Sequence, residues 1–190
     1  MPIATNPVTI RPAHKEDAAA IARIHVETWR STYAGLLPDR LLLRMSVAAH
    51  EARWWRHALA RYRRNHYVFV AETREDGVIG FGSGGPSREP DLPYKGEIYT
   101  LYLADEFHGA GFGRRLFCTL AERSVRDCGA SLIVWVLAGN PNRFFYAAMG
   151  GRAVARRPST LSGADIEEIA YGWEDARSLV ELGRSARGGG

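Results

Sequence analysis

The chain is poor in cysteine. Only Cys118 and Cys128 among its 190 residues carry thiols, and both fall on one predicted helix. Ten residues of helix separate them by about 15 Å along the axis, whereas a disulfide needs Cα atoms within about 7 Å. They cannot bridge each other, and a reducing, cytoplasmic location is expected. No apolar run reaches membrane-spanning length and no segment reads as a secretory signal, so no membrane partner is expected. The six histidines show no metal-ligand spacing with carboxylates or cysteines, so no metal is expected either. No nucleophile–base arrangement surrounds Cys118, which reads as a core residue. The excess of positive charge is small: 25 Lys and Arg against 21 Asp and Glu leave a net +4. That favours an anionic ligand without pointing to nucleic acid. Two phosphate motifs are also missing. There is no Gly-Lys-Ser/Thr, which excludes a P-loop. The triplet Gly109-x-Gly111-x-Gly113 differs by one residue from G-x-G-x-x-G, and the strand after it ends without an acid for a ribose.

What is present centres on Glu97 to Arg115. An apolar, aromatic-rich run of strand length, Glu97–Leu103, leads through Ala104–Phe107 into His108-Gly-Ala-Gly-Phe-Gly113, and a helical pattern opens at once. A strand, a glycine turn and a helix N-terminus in that order present bare backbone N–H groups to a phosphate. The length and the 46% hydrophobic content suit one domain with a real core.

The rest of the chain supplies a sheet and helices around this stretch. Val8–Pro12 reads as a short edge strand. Ala18 to Thr28 follow helical spacing and deliver Trp29 and Tyr33 to the helix end. Short helices follow around Leu41–Met45 and after Ser46, a candidate N-cap. Tyr67–Glu72 and Val78–Gly82 form a hairpin across Asp76-Gly77, and Ser83–Lys95 reads as a loop. The helix after the glycine turn ends at Gly129. Ser131–Leu137, nearly without polar residues, reads as a buried strand parallel to 97–103, completing a right-handed βαβ unit. Asn140-Pro141 opens a further helix carrying Phe144, Phe145 and Tyr146. Arg152–Arg157 and Glu167–Trp173 are expected to pair antiparallel. One domain over 8–175 is predicted, with residues 1–7 and 176–190 as flexible termini.

Two segments together resemble the GNAT N-acetyltransferase superfamily. His108-Gly-Ala-Gly-Phe-Gly113 resembles its acyl-CoA signature Q/R-x-x-G-x-G/A, with His108 where Gln or Arg is commoner. Asn140-Pro-Asn-Arg-Phe-Phe-Tyr146 with Met-Gly-Gly151 resembles its second signature, with one residue fewer between Asn and Tyr than in the commonest form. The order of elements from about Val8 to Trp173 matches as well. The resemblance implies an α/β (α+β) fold: a mixed, mostly antiparallel twisted sheet with a central splayed parallel strand pair flanked by helices. It implies acetyl-CoA as cosubstrate, its pyrophosphate held by the turn His108, Gly109, Ala110, Gly111, Phe112, Gly113 and Arg114. It also implies a bulge in the 97–103 strand. The pantetheine arm would pair with backbone around Leu101, Tyr102 and Leu103, helped by Asn140 and Tyr146.

The implied activity is direct transfer of an acetyl group to a primary amine. Such a reaction needs an amine without its extra proton, a stabilised oxyanion and a protonated leaving thiolate. The resemblance makes Tyr146 the acid, Glu97 the base and the Leu103 N–H the oxyanion donor. Asn140 is also a helix cap by its own position. Trp29 and Tyr33, four apart on one helical face, are candidates for a wall of the acceptor pocket. So are Trp54 and Trp55, and Glu97 would lie beside the acceptor. A non-catalytic acyl-CoA-binding module is the alternative. The acceptor is left as a small-molecule amine or a peptide or protein amine, and an exposed strand edge would permit a homodimer.

Overall fold

The computed structural model describes residues 8–59, 66–161 and 163–187; the expected loose segment 1–7 lies outside them. One seven-stranded sheet runs in the order β1-β2-β3-β4-β5-β7-β6. Its strands are β1 (Thr9–Pro12), β2 (Tyr67–Thr73), β3 (Gly77–Pro86), β4 (Gly96–Leu103), β5 (Leu132–Leu137), β6 (Arg152–Leu161) and β7 (Ala164–Trp173). All neighbours are antiparallel except β4 and β5, which pair in parallel. The mixed sheet with its central parallel pair is the expected architecture.

Helices cover both faces. On one lie α4 (Phe112–Asp127), α5 (Phe144–Ala148) and α6 (Arg177–Arg187); on the other α1 (Ala18–Thr32), α2 (Asp39–Arg44) and α3 (Val47–Leu59). Leu116, Phe117, Leu120 and Ala121 form the buried stripe of α4, against Phe69, Ile98 and Leu103 of the sheet. Gly82 on β3 makes this approach possible, because a Cβ there would collide with Leu120. Ile21, Ala22 and Ile24 of α1 pack on Val70 and Phe81 from the opposite side. Burial of these two stripes drives the three layers together.

Three expectations need correction. The segment beyond Asp175 is not loose: Ala176, Leu179 and Val180 are buried, and α6 packs on α4 where a Cβ at Gly183 would lie 2.8 Å from the Cys118 Cβ. Its apolar residues at helical spacing carry that signal, and the glycine- and arginine-rich end obscures it. The loop assigned from Ser83 starts later, because β3 continues to Pro86. Its small residues pair with Thr100, Ile98, Glu97 and Gly96 of β4 across a register shift. The last hairpin is also longer than expected on both strands.

Candidate active site

The site begins where β4 and β5 part. Their pairing covers only Gly96–Ile98 against Leu132–Val134. One extra residue, Tyr99, bulges β4 between Ile98, opposite Gly84, and Thr100, opposite Ser83. A bulge bends its strand and increases the local twist, so the two strands diverge. Ala104 N–H donates to the Ile79 carbonyl at 2.9 Å. Alternation along the antiparallel ladder then turns the N–H and C=O of Leu101 and Leu103 away from β3, into the gap. His108 Nε2 donates to the Leu103 carbonyl at 3.0 Å. The Leu103 N–H and both polar groups of Leu101 therefore face the space between the strands. An amide-bearing chain is the kind of ligand that satisfies such groups.

β4 ends at the glycine turn. A 3-10 turn at Asp105–Phe107 leads to His108, and Gly109 and Gly111 take φ of 81° and 80°. These left-handed conformations suit glycine and aim the chain directly into α4. The first N–H groups of α4 lack intrahelical partners. Its first turn carries no acidic residue, although a helix dipole favours acids there; Arg114 and Arg115 stand there instead. Arg115 Nη2 donates to the Val8 carbonyl at 2.8 Å, whereas Arg114 is exposed. An anion at this helix start would meet N–H groups, a favourable dipole and one arginine. A Cβ built on Gly113 meets only Leu103 Cδ2, at 4.0 Å, so the backbone there is open to close approach. These residues fit the phosphates and pantetheine arm of an acyl-CoA.

The gap opens into a cleft of about 230 Å³, lined on one side by Tyr99–Tyr102 and on the other by Val134–Leu137. Asn140 and Tyr146 line it too, with Trp29 and Tyr33 from α1 and Ser159, Thr160, Ile166 and Glu168 from the β6–β7 hairpin. Tyr146 is 9% exposed. Its ring meets Phe117, Phe145 and Tyr171, at 5.8, 5.4 and 5.9 Å between centroids. Burial, then the neighbouring Tyr102 and Tyr33, push its phenol well above the ordinary range. It therefore stays protonated across working pH and has the character of an acid, not a base.

Hydrogen bonds lock the α1 side of the cleft. Trp29 Nε1 donates to the Tyr102 hydroxyl at 2.8 Å, and Asn140 Nδ2 donates to the Tyr33 hydroxyl at 2.9 Å. Asn140 Oδ1 also accepts from Asn142 N–H at 2.8 Å, so one side chain caps the turn before α5 and braces α1. The Trp29 and Tyr33 rings meet edge-to-face with centroids 5.0 Å apart. Burial pushes Tyr102 up to about 12 against the opposing Trp29 hydrogen bond, and likewise raises Tyr33. Behind Tyr102, the His25 ring stacks on it at 5.0 Å. Burial, then the charges of His50 and Arg53, hold His25 down at about 3.

Two candidates sit elsewhere than expected. Glu97 is fully buried and is not among the side chains lining the cleft. Its carboxylate accepts from the Arg88 backbone N–H at 2.9 Å and from the Arg88 guanidinium at 2.5 Å. That pairing pins the loop after β3 and occupies both carboxylate oxygens. Trp54 is core, edge-on to Phe81 at 5.0 Å, and the side chain of Trp55 lies outside the described residues. Sequence reasoning missed Trp135, Glu168 and the β6–β7 residues of the cleft. Alternation along β7 places Ile166 and Glu168 on one face, but only the register of β7 on β5 turns that face toward the cleft.

A family model described as the acetyltransferase (GNAT) family matches residues 19–150. An uncharacterized N-acetyltransferase of Bacillus subtilis (strain 168), YuaI, is 35% identical over 175 residues, covering 92% of this chain and 98% of that protein. The L-amino acid N-acyltransferase MnaT of Escherichia coli (strain K12) is 31% identical over 128 residues, covering 67% of this chain and 68% of that protein. Among solved structures, yncA of Salmonella typhimurium with its cofactor acetyl-CoA superposes with a TM-score of 0.65 at 22% identity, over 88% of this chain and 94% of that one. PaiA N-acetyltransferase of Thermoplasma acidophilum with coenzyme A does so with a TM-score of 0.66 at 16% identity, over 88% and 99%. At these identities the two structures speak for the fold.

Proposed function

The chain belongs to the acetyltransferase (GNAT) family, and we propose that it transfers the acetyl group of acetyl-CoA directly to a small primary amine, with Tyr146 as the general acid. The observation that carries this reading is the parting of β4 and β5 beyond Ile98 and Val134, with Tyr146 in the opening and the glycine turn at its end. Acetyl-CoA supplies an acyl group activated as a thioester. The N–H groups at the start of α4, with Arg114, bind its phosphates. Leu101 and the Leu103 N–H fix the acyl end between the strands. The Leu103 N–H, turned into the gap, would donate to the carbonyl oxygen as it gains charge. Tyr146 gives its phenolic proton to the departing sulfur and recovers one from the attacking nitrogen.

The amine must lose its extra proton before it attacks. Glu97, held by Arg88, serves as a structural anchor in this scheme, and water in the cleft carries that proton out. The extension of the cleft from Tyr146 to Trp29 and Tyr33 supports catalysis over mere acyl-CoA binding. An assay of thiol release from acetyl-CoA against a panel of amines tests the reading. Amine-dependent release, with a rise in melting temperature on adding CoA, is expected. No shift at saturating CoA refutes it.

A further inference from the structure

We propose that Glu168 receives the acceptor, and that the acceptor is a cationic amine carrying no carboxylate beside its nitrogen; this rests on the acetyl-transfer reading above. Among the described side chains lining the cleft, Glu168 is the one that is charged at neutral pH. It sits on β7 opposite Leu137 of β5, and its side chain is 20% exposed.

Arg157 holds it from behind. The Arg157 Nε donates to Glu168 Oε2 at 2.8 Å and Nη1 donates to Glu89 Oε1 at 2.6 Å. The guanidinium also lies over the Trp135 ring, 3.9 Å from its centroid. One arginine between two carboxylates leaves a net charge of −1, and Oε1 of Glu168 takes no bond from Arg157. Arg88, next to Glu89 in sequence, is itself paired with Glu97.

A primary amine arrives mostly as an ammonium ion at neutral pH. Glu168 attracts that ion, and the aromatic residues Trp29 and Tyr33 of the lining favour it further. A carboxylate on the same acceptor would face Glu168 with no cationic side chain of the lining to balance it. Desolvated like charges of this kind are strongly disfavoured. Glu168 thus separates amines from amino acids by charge.

The experiment pairs phenethylamine with phenylalanine, isopentylamine with leucine, and 3-(methylthio)propylamine with methionine. The partners share a side chain and differ in the carboxylate, and the greater basicity of each amine lowers its free-base fraction and so works against the expected preference. Wild-type kcat/KM should be at least about tenfold higher for each amine. Glu168→Gln should raise the amine KM about tenfold and narrow the preference. The KM for acetyl-CoA and the CoA-induced melting shift should not move, and Glu168→Asp should recover part of the loss. The inference is overturned if the amino acids react as well as the amines, or if Glu168→Gln leaves the amine KM unchanged. Turnover of neither series with an intact CoA shift also overturns it. Loss of the CoA response in the wild-type protein would instead refute acetyl transfer itself, and this inference with it.

Discussion

Replacing Tyr146 by phenylalanine removes one hydroxyl group from the cleft lining. The ring contacts with Phe117, Phe145 and Tyr171 remain, and among the described residues no backbone group bonds the hydroxyl, so stability should change by less than about 0.5 kcal/mol. In the proposed scheme acetyl-CoA is held by backbone groups of Leu101, Leu103 and the α4 start, so its KM should stay within about twofold. The chemical step is different. General acids contribute about 10²- to 10⁴-fold. A thiol of pKa about 8.5 leaves far more easily than an amine or alkoxide, which places the penalty at the lower end. A loss of about a hundredfold in kcat, or about 2.7 kcal/mol in barrier, is expected.

Single-turnover thiol release, with enzyme in excess over acetyl-CoA and amine saturating, measures the step apart from product release. Tyr33→Phe is the control. Tyr33 shares the cleft and keeps a hydroxyl proton of its own, because Asn140 donates to its oxygen. A Tyr146→Phe single-turnover rate within threefold of wild type would refute the acid assignment. A large loss in Tyr33→Phe alone would move the role to that residue.

Gly113→Ala should separate folding from binding: the added Cβ meets only Leu103 Cδ2 and improves a helical position. The melting temperature should rise by about 2 °C while the KM for acetyl-CoA increases about tenfold, as thermal unfolding and initial rates will show. His25 supplies a pH dependence. Its folded pKa, about 3 because of burial and then His50 and Arg53, lies below the unfolded value, so the unfolded chain binds the extra proton and stability falls as pH drops from about 6.5 toward 3. Urea unfolding at pH 7, 6, 5 and 4 should give a wild-type slope up to about 1 kcal/mol per pH unit steeper than that of His25→Gln, and parallel slopes would show that His25 is not held neutral.

Much of this architecture was legible because local chemistry and tertiary role coincide. The glycine turn needs φ values that only its residues tolerate well, and Asn140 caps the segment that its own position marks. The nearly unbroken apolar run of β5 follows from burial on both faces. The parts that were not legible depend on distant residues. Glu97 looks like a free carboxylate at the start of a strand until Arg88 folds back from the loop nine residues earlier. Glu168 joins the cleft only through the pairing of β7 with β5, and nothing in the local run of residues gives that register. The tail beyond Asp175 shows helical spacing, but its partner surface on α4 lies more than fifty residues away.

The bulge at Tyr99 explains why β4 was readable as a strand yet misleading as a site. Before it, Gly96 and Ile98 face α4 and Glu97 faces the opposite side; after it, Leu101 and Leu103 face α4 and Thr100 and Tyr102 the other side. Were Tyr99 a regular ladder position, strict alternation would put Leu101 and Leu103 on the α1 face, because side chains alternate with period two. The bulge therefore does two things with one residue. It keeps the apolar side chains on the α4 core, and it ends pairing with β5 so that the backbone of Leu101 and Leu103 meets the cleft. A simple alternation count through 97–103 places Glu97 on the same face as Tyr99 and Leu101, over the gap. With the bulge included, Glu97 sits where β4 and β5 are still paired, before the strands diverge. The divergence that opens the cleft therefore also leaves Glu97 outside it.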